Sequence, residues 1–363
     1  MSRDEIPTPA LLIDLDAFES NIAKMAWHLA QRRRRFRPHA KTHKCPEIAK
    51  RLIAAGAVGI AVAKLSEAEV FAAAGIRGLL VTTAVIGSAK IARAVELLKR
   101  APDTIFCVDA PENVRDFNDA AWAGGVIAPL AIDLYFGRTG ITPGEPAAQL
   151  ARLITSLPHV GFAGLQAYDG TASHTVPFEA RQARTRETMA RAVETATLIG
   201  WSGITCPMVS GGSTGTYNID SDIEGITELQ PGSFLFMDMD YGRIGGPDGA
   251  PYAEFTRALS VVTTVVSKHG NTAIVDGGYK AFSTDRPFTP EPVDLAGVSY
   301  AWAGDEHGRL DLTNSTREVK VGDRIEFIPP HCDPTVNLYD RFYVLRGDRV
   351  EDMWDISARG MSQ

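Results

Sequence analysis

Arg37-Pro38-His39-Ala40-Lys41-Thr42-His43-Lys44 follows a basic run and precedes a helix-like stretch at 46–55. Residues 36–41 have the length of a short strand, which places Lys41 at its C-terminal end. A lysine there, inside a barrel of parallel strands, stands where such barrels carry chemistry and is positioned to form a Schiff base. The octet also reads as a basic surface strand, since most lysines are solvated. A second motif near the other end, His331-Cys332-Asp333-Pro334-Thr335, turns the balance toward chemistry.

Around the octet, short runs of Val, Ile, Leu and Ala alternate with longer amphipathic segments. Strands are expected at 36–41, 59–63, 78–83, 104–108, 129–135, 161–168, 207–210 and 227–237. Helices are expected at 46–55, 66–74, 88–99, 111–122, 145–157 and 177–198. Eight such steps predict an α/β fold with a (β/α)8 TIM-like barrel. Near-continuous apolar strands fit a sheet buried on both faces. Further on, strands at 255–267, 272–276, 298–301, 317–319, 324–328 and 340–346 come with Gly, Asp and Asn turns and little helical periodicity. They predict a mainly β C-terminal domain. The expected division is a barrel over 15–245 and a β-rich, metal-binding unit over 246–363, which the N-terminal strand at 8–14 joins.

A chain of 363 residues is comfortable for two such units. Its 45% hydrophobic and 22% charged residues are ordinary for a soluble globular protein. The net charge of −7 argues against a nucleic-acid partner. Arg32, Arg33, Arg34 and Arg35 do not reverse that; they read as the solvated end of a helix over 17–31, where cations suit the dipole. No apolar run is long enough to span a membrane, and the start Met-Ser-Arg-Asp-Glu lacks an apolar signal core. Cys45, Cys107, Cys206 and Cys332 are scattered and read as free thiols in a reducing cytoplasm.

The ends of the expected strands carry a consistent set of groups. Lys41 ends the first, Arg138 follows the fifth, and Tyr168 and His174 follow the sixth. Ser213, Thr214 and Gly215 follow the seventh; Gln230, Gly232 and Ser233 lie in the eighth. Small-residue loops after strands seven and eight are where barrels commonly hold a phosphate. Either loop alone reads equally as a plain turn. With a lysine on strand one, the two describe a pyridoxal phosphate site: an amine, a phosphate cradle and a cationic side chain.

The chain resembles the fold-type III, alanine-racemase-like pyridoxal-phosphate enzymes, and within them the D-threonine aldolase and D-serine dehydratase family. The likeness runs through Arg37-Pro-His-Ala-Lys-Thr-His-Lys44, Gln166-Ala-Tyr-Asp-Gly170, Ser210-Gly-Gly-Ser-Thr-Gly215 and Pro330-His-Cys-Asp-Pro-Thr335. It implies that Lys41 is the Schiff-base lysine and that Arg138 stands near the cofactor's phenolic oxygen. It places Ser213, Thr214, Gly232 and Ser233 at the phosphate, with Gly215 in the same loop. Gln230 occupies the position where racemases face the pyridine nitrogen with arginine. No second-domain tyrosine aligns with the racemase base, so racemase activity is not expected. The β-rich unit argues against a non-catalytic, barrel-only cofactor carrier.

The choice of reaction rests on His331-Cys332-Asp333. In an extended segment His331 and Asp333 share a face and Cys332 points away. An imidazole–carboxylate pair suits Mn²⁺ or Mg²⁺ better than Zn²⁺. By resemblance, His-x-Asp is the aldolase form and His-x-Cys the dehydratase form. The pair also reads as a hydrogen-bonded loop contact. The resemblance places His174 near the metal as the candidate base, against a reading as a surface loop histidine; Tyr168 orients that base or packs beside the cofactor ring. The expected reaction is metal-dependent retro-aldol cleavage of D-β-hydroxy-α-amino acids to glycine and an aldehyde. The alternatives are a 3-hydroxy-D-aspartate aldolase, needing a cation such as Arg286 or Lys280 for the distal carboxylate, and a D-serine or 3-hydroxyaspartate dehydratase. The partners expected are a small-molecule D-amino acid and a second copy of the chain, with no nucleic acid and no membrane.

Overall fold

The computed structural model describes all 363 residues. Eight short parallel strands form one sheet: Arg35–Phe36, Ala61–Val62, Leu80–Val81, Ile105–Val108, Ala128–Asp133, Val160–Ala167, Val209–Gly211 and Glu228–Leu229. Arg35–Phe36 pairs with Glu228–Leu229. On its other side, a single parallel bridge from His39 to Ala61 closes the barrel. The second and third strands begin two residues later than expected, just past the point where Gly59 and Gly78 press together. A Cβ on Gly59 would lie 2.0 Å from the Gly78 carbonyl oxygen, so only glycine fits there.

Helices return the chain between strands, among them Pro46–Ala54, Leu65–Ala73, Ser88–Arg100 and Pro111–Gly124. Pro46 and Pro111 open their helices at the first position, where no N–H is needed. Val62, Val81, Phe106, Val108 and Ile132 join these helices in the main core. Ala61, Leu80, Cys107, Ala131 and Met208 form a separate buried cluster. Both faces of the sheet are thus buried, as the continuous apolar runs require. The arginine tetrad is less free than its charge suggests. Arg32 pairs with Asp222 at 2.6 Å, and Arg34 donates to the Ser221 and Ile223 carbonyls.

The second sheet has nine strands. Ala10–Asp14 runs antiparallel to Leu259–His269 and parallel to Arg341–Arg346. Arg324–Ile328 flanks Leu259–His269, while Thr272–Val275, Gly308–Asp311 and Ser299–Trp302 continue in sequence. Gly308–Asp311 and Arg349–Asp355 were not expected; both are half-polar strands whose exposed faces mask the alternation. No helix is long and apolar enough to cross a membrane.

Four expectations need correction. The first strand stops at Phe36, because Pro38 has no N–H to donate and Lys41 lies in a single 3-10 turn, Ala40–Thr42. The eighth stops at Leu229, before Pro231, and Ser233–Leu235 is another 3-10 turn. Residues 317–319 form no strand. The segment expected to be extended at 331–333 opens a short helix, Cys332–Val336, with His331 as its N-cap residue. Pro334 sits in the first turn, where a missing N–H leaves no bond unmade.

Candidate active site

Lys41 leaves a turn rather than a strand, and the turn is capped. Its backbone N–H donates to His39 Nδ1 at 3.2 Å. Burial holds the His39 imidazole well below its ordinary range, so it is neutral and free to accept. The Lys41 side chain is 38% exposed, opening on a cavity of about 400 Å³. Its Nζ lies 3.7 Å from Asp333 Oδ2 and 5.6 Å from the centre of the Tyr168 ring. Tyr168 raises the Lys41 pKa, burial opposes, and Asp333 adds to the rise.

The same cavity gathers nearly every site residue read from the sequence. Arg138 and Tyr168 line it together, the guanidinium 5.4 Å from the ring centre. Ser213, Thr214, Gly232 and Ser233 line it from the last two loops, and Gln230 between them. His174 lines it from the turn Ala172–His174 after the sixth barrel strand, and His331 and Asp333 line it from the segment that follows Arg324–Ile328. Gly215 does not line it. An added Cβ there would fall 2.3 Å from the Ser173 carbonyl oxygen, so Gly215 presses its loop against the turn Ala172–His174. A separate hollow of about 350 Å³ beside Arg3, Asp14 and Arg257 holds none of these groups.

A buried polar chain fixes Gln230. Arg37 grips Glu228 with two bonds, at 2.8 and 3.0 Å. Ser210 Oγ donates to Glu228 Oε1 at 2.7 Å. Gln230 Nε2 in turn donates to Ser210 Oγ at 2.7 Å and to Gln166 Oε1 at 2.6 Å. The cavity floor therefore presents a neutral, rigid amide.

On the other wall, the carboxylate of Asp238 accepts from Tyr241 N at 2.9 Å and from Cys332 N at 2.7 Å. It joins the helix Met239–Gly242 to the helix that follows His331. His331 Nδ1 sits 2.7 Å from Asp285 Oδ2, which leaves Nε2 uncommitted. Asp285 Oδ2 also contacts Arg286 Nη1 at 3.0 Å, and Arg286 Nε lies 2.8 Å from Asp240 Oδ2. That same oxygen is 3.0 Å from His174 Nε2. Burial works against the charge on Asp240, but His174 and Arg286 outweigh it and hold the carboxyl below its ordinary range. Burial likewise opposes the charge on Asp333, and Lys41 and His331 prevail.

Arg286 thus reaches the cavity, while Lys280 pairs with Glu306 outside it. Sequence reasoning passed over His39, Asp238, Asp240, Tyr241 and Asp285. The alternating acids of Met237-Asp238-Met239-Asp240-Tyr241, just past a small-residue loop, were the available signal.

The donors present fit pyridoxal phosphate. There is an amine on a fixed turn, and there are buried hydroxyls on two adjoining loops. Gly232 packs its loop against the turn that carries Lys41: a Cβ there would lie 2.7 Å from Thr42 Oγ1 and 2.9 Å from the His39 carbonyl oxygen, so a side chain would push the loop off that turn. Thr42 Oγ1 itself is buried without a partner. For a cation the fit is partial. His331 and Asp333 give one imidazole and one carboxylate, and no group of three or more His, Cys, Asp or Glu side chains converges on a point.

Residues 13–240 match the model of the alanine racemase N-terminal domain, and residues 258–345 that of a putative serine dehydratase domain. The chain belongs to the alanine-racemase-like, fold-type III family of pyridoxal-phosphate enzymes. Within this family it is 38% identical to a 3-hydroxy-D-aspartate aldolase of Paracoccus denitrificans, over 99% of this chain and 94% of that one. It is 39% identical to a D-threonine aldolase of an Arthrobacter species, with the same coverage of both. The crystal structure of D-threonine aldolase from Filomicrobium marinum superposes with a TM-score of 0.96 at 37% identity, covering 100% of this chain and 98% of that one.

Proposed function

We propose that this family member cleaves D-β-hydroxy-α-amino acids by a retro-aldol reaction, giving glycine and an aldehyde. The observation that carries the reading is the meeting of Lys41 with Asp333, His331 and His174 in one cavity beside the two small-residue loops. Lys41 Nζ would hold pyridoxal phosphate, with its phosphate against Ser213, Thr214, Gly232 and Ser233, its phenolic oxygen near Arg138, and Gln230 facing its ring nitrogen. His331 Nε2 and the Asp333 carboxylate would hold a divalent cation, Mn²⁺ or Mg²⁺ in preference to Zn²⁺, since carboxylate oxygen suits hard ions. When bound, the cofactor supplies an electron sink and the cation a Lewis acid.

The chain's own groups do the rest. His174, whose Nε2 lies 3.0 Å from Asp240 Oδ2, is the imidazole we assign to take the proton of the β-hydroxyl. Tyr168 packs between Lys41 and Arg138 and fixes the spacing of the two cations. Gln230, an amide with both N–H groups engaged, supports cleavage rather than racemisation. We also read the chain as two units, 15–245 and 246–363, with 8–14 joined to the second. It would act as a cytoplasmic homodimer; its four cysteines are unpaired, which suits a reducing compartment.

Product analysis tests the reading. D-Threonine with pyridoxal phosphate and Mn²⁺ should give glycine and acetaldehyde, L-threonine nothing, and chelation should stop turnover. Ammonia and a keto acid in place of glycine would establish a dehydratase instead.

A further inference from the structure

Arg286 shares Asp240 Oδ2 with His174 and Asp285 Oδ2 with His331, so its state bears on whether the cavity welcomes a second carboxylate. A guanidinium grips a carboxylate best with two adjacent N–H groups along one edge. Nε of Arg286 faces Asp240 Oδ2 at 2.8 Å, and Nη1 faces Asp285 Oδ2 at 3.0 Å. Each edge that includes Nη2 therefore has its other nitrogen engaged. A substrate carboxylate would have to compete with Asp240 or Asp285 for a two-bond grip.

The charge count points the same way. One guanidinium lies between two carboxylates. Burial opposes the charge on Arg286, but Asp240 and Asp285 keep it fully ionised, and Asp240 is held ionised in return. Lys41 already faces Asp333, and Lys280 lies outside the cavity. Arg138 stands against Tyr168, where the proposed function assigns it to the cofactor. A second carboxylate would find no unpaired guanidinium in this wall. An uncharged substituent needs none, and Phe136 and Tyr241 offer it apolar contact in the same cavity.

We infer that Asp240, Arg286 and Asp285 form a charge filter selecting D-β-hydroxy-α-amino acids with an uncharged β-substituent over those with a second carboxylate; the inference rests on the proposed function. Residue 285 is then a specificity determinant, because it withholds Arg286 from substrate.

Two non-cleavable analogues read this without turnover. D-2-Aminobutyrate and D-aspartate lack the β-hydroxyl and differ in the distal group. In calorimetric titrations of the pyridoxal-phosphate-loaded protein, D-2-aminobutyrate should bind at least about tenfold more tightly. Asp285→Asn frees Nη1 and removes one negative charge, so it should narrow that ratio at least about threefold. Asp285 is exposed, so the variant should fold. Equal or tighter binding of D-aspartate by the wild-type protein would overturn the filter, as would a ratio that Asp285→Asn leaves unmoved. Binding of neither analogue would instead remove the proposed function, since both carry the α-amino and α-carboxylate groups, and the inference with it.

Discussion

At the scale of single residues, Lys41 and Asp220 make contrasting use of burial. Lys41 Nζ opens on the cavity and faces one acid, Asp333. Lys44, three residues on, is tied to Glu67 away from the cavity, and Lys64 opens a helix. Borohydride reduction of the pyridoxal-phosphate-loaded protein should therefore fix the label on a peptide containing Lys41. A label on Lys44 or Lys64 would sink the assignment. Asp220 is fully buried, and its Oδ2 accepts from Thr216 Oγ1 at 2.5 Å, beneath the loop that bears Ser213. Burial lifts its pKa to about 7. A carboxyl raised in the folded state contributes stability at low pH. That contribution is lost as pH climbs from the ordinary carboxylate range to about 7. Asp220→Asn cannot ionise, so its melting temperature should gain on the wild type between pH 5 and pH 7. A constant gap across that range would show that Asp220 is charged in the fold.

At the scale of elements, the site hangs on two short helices that one side chain joins. Asp238 caps Met239–Gly242 and also takes the first N–H of Cys332–Val336, with no exposure to water. Asp238→Ala would orphan two buried N–H groups, a loss of about 3 kcal/mol. It should also loosen the link between Asp240 and Asp333. We expect a lower melting temperature and weaker Mn²⁺ binding, with the cofactor's visible absorption kept because Lys41 and the loops are untouched. Unchanged Mn²⁺ affinity would show the link to be structural only.

This junction is also where sequence reading ran out. Apolar runs such as those around Leu80 and Phe106 announced the barrel, because burial on both faces leaves a signal that local composition carries. The lysine, the two loops and His331-Cys332-Asp333 were legible as candidates, and folding brings them to one cavity. The turn under Lys41 and the helix after His331 were not. Each depends on a contact made from afar: the His39 bridge to Ala61, and the Asp238 bond to Cys332. Asp285 and Arg286 are ordinary loop residues until folding brings them to Asp240 and His331.

At the scale of the molecule, one chain supplies both halves of the cavity. Lys41 comes from the barrel and Asp333 from the segment between Arg324–Ile328 and Arg341–Arg346, 3.7 Å apart at their charged atoms. A second copy is therefore not required to bring these groups together. What a second copy would cover is the rim. Ile86, Tyr135 and Val176 follow the C-terminal ends of three barrel strands and are 57%, 48% and 61% exposed. Tyr135 precedes the Arg138 loop and Val176 follows His174, so these apolar groups stand in water beside the cavity unless a neighbour shields them. An isologous pair would bury each of them twice. Sedimentation velocity should find a species of twice the chain mass. Val176→Asp combined with Tyr135→Ser should shift it toward the single chain. The separated chain should still take up cofactor, since its Lys41, Arg138 and both loops are its own, while turnover falls as the rim opens to water. A wild-type protein that sediments as one chain at working concentration, with full activity, would refute the dimer and leave the rim residues unexplained.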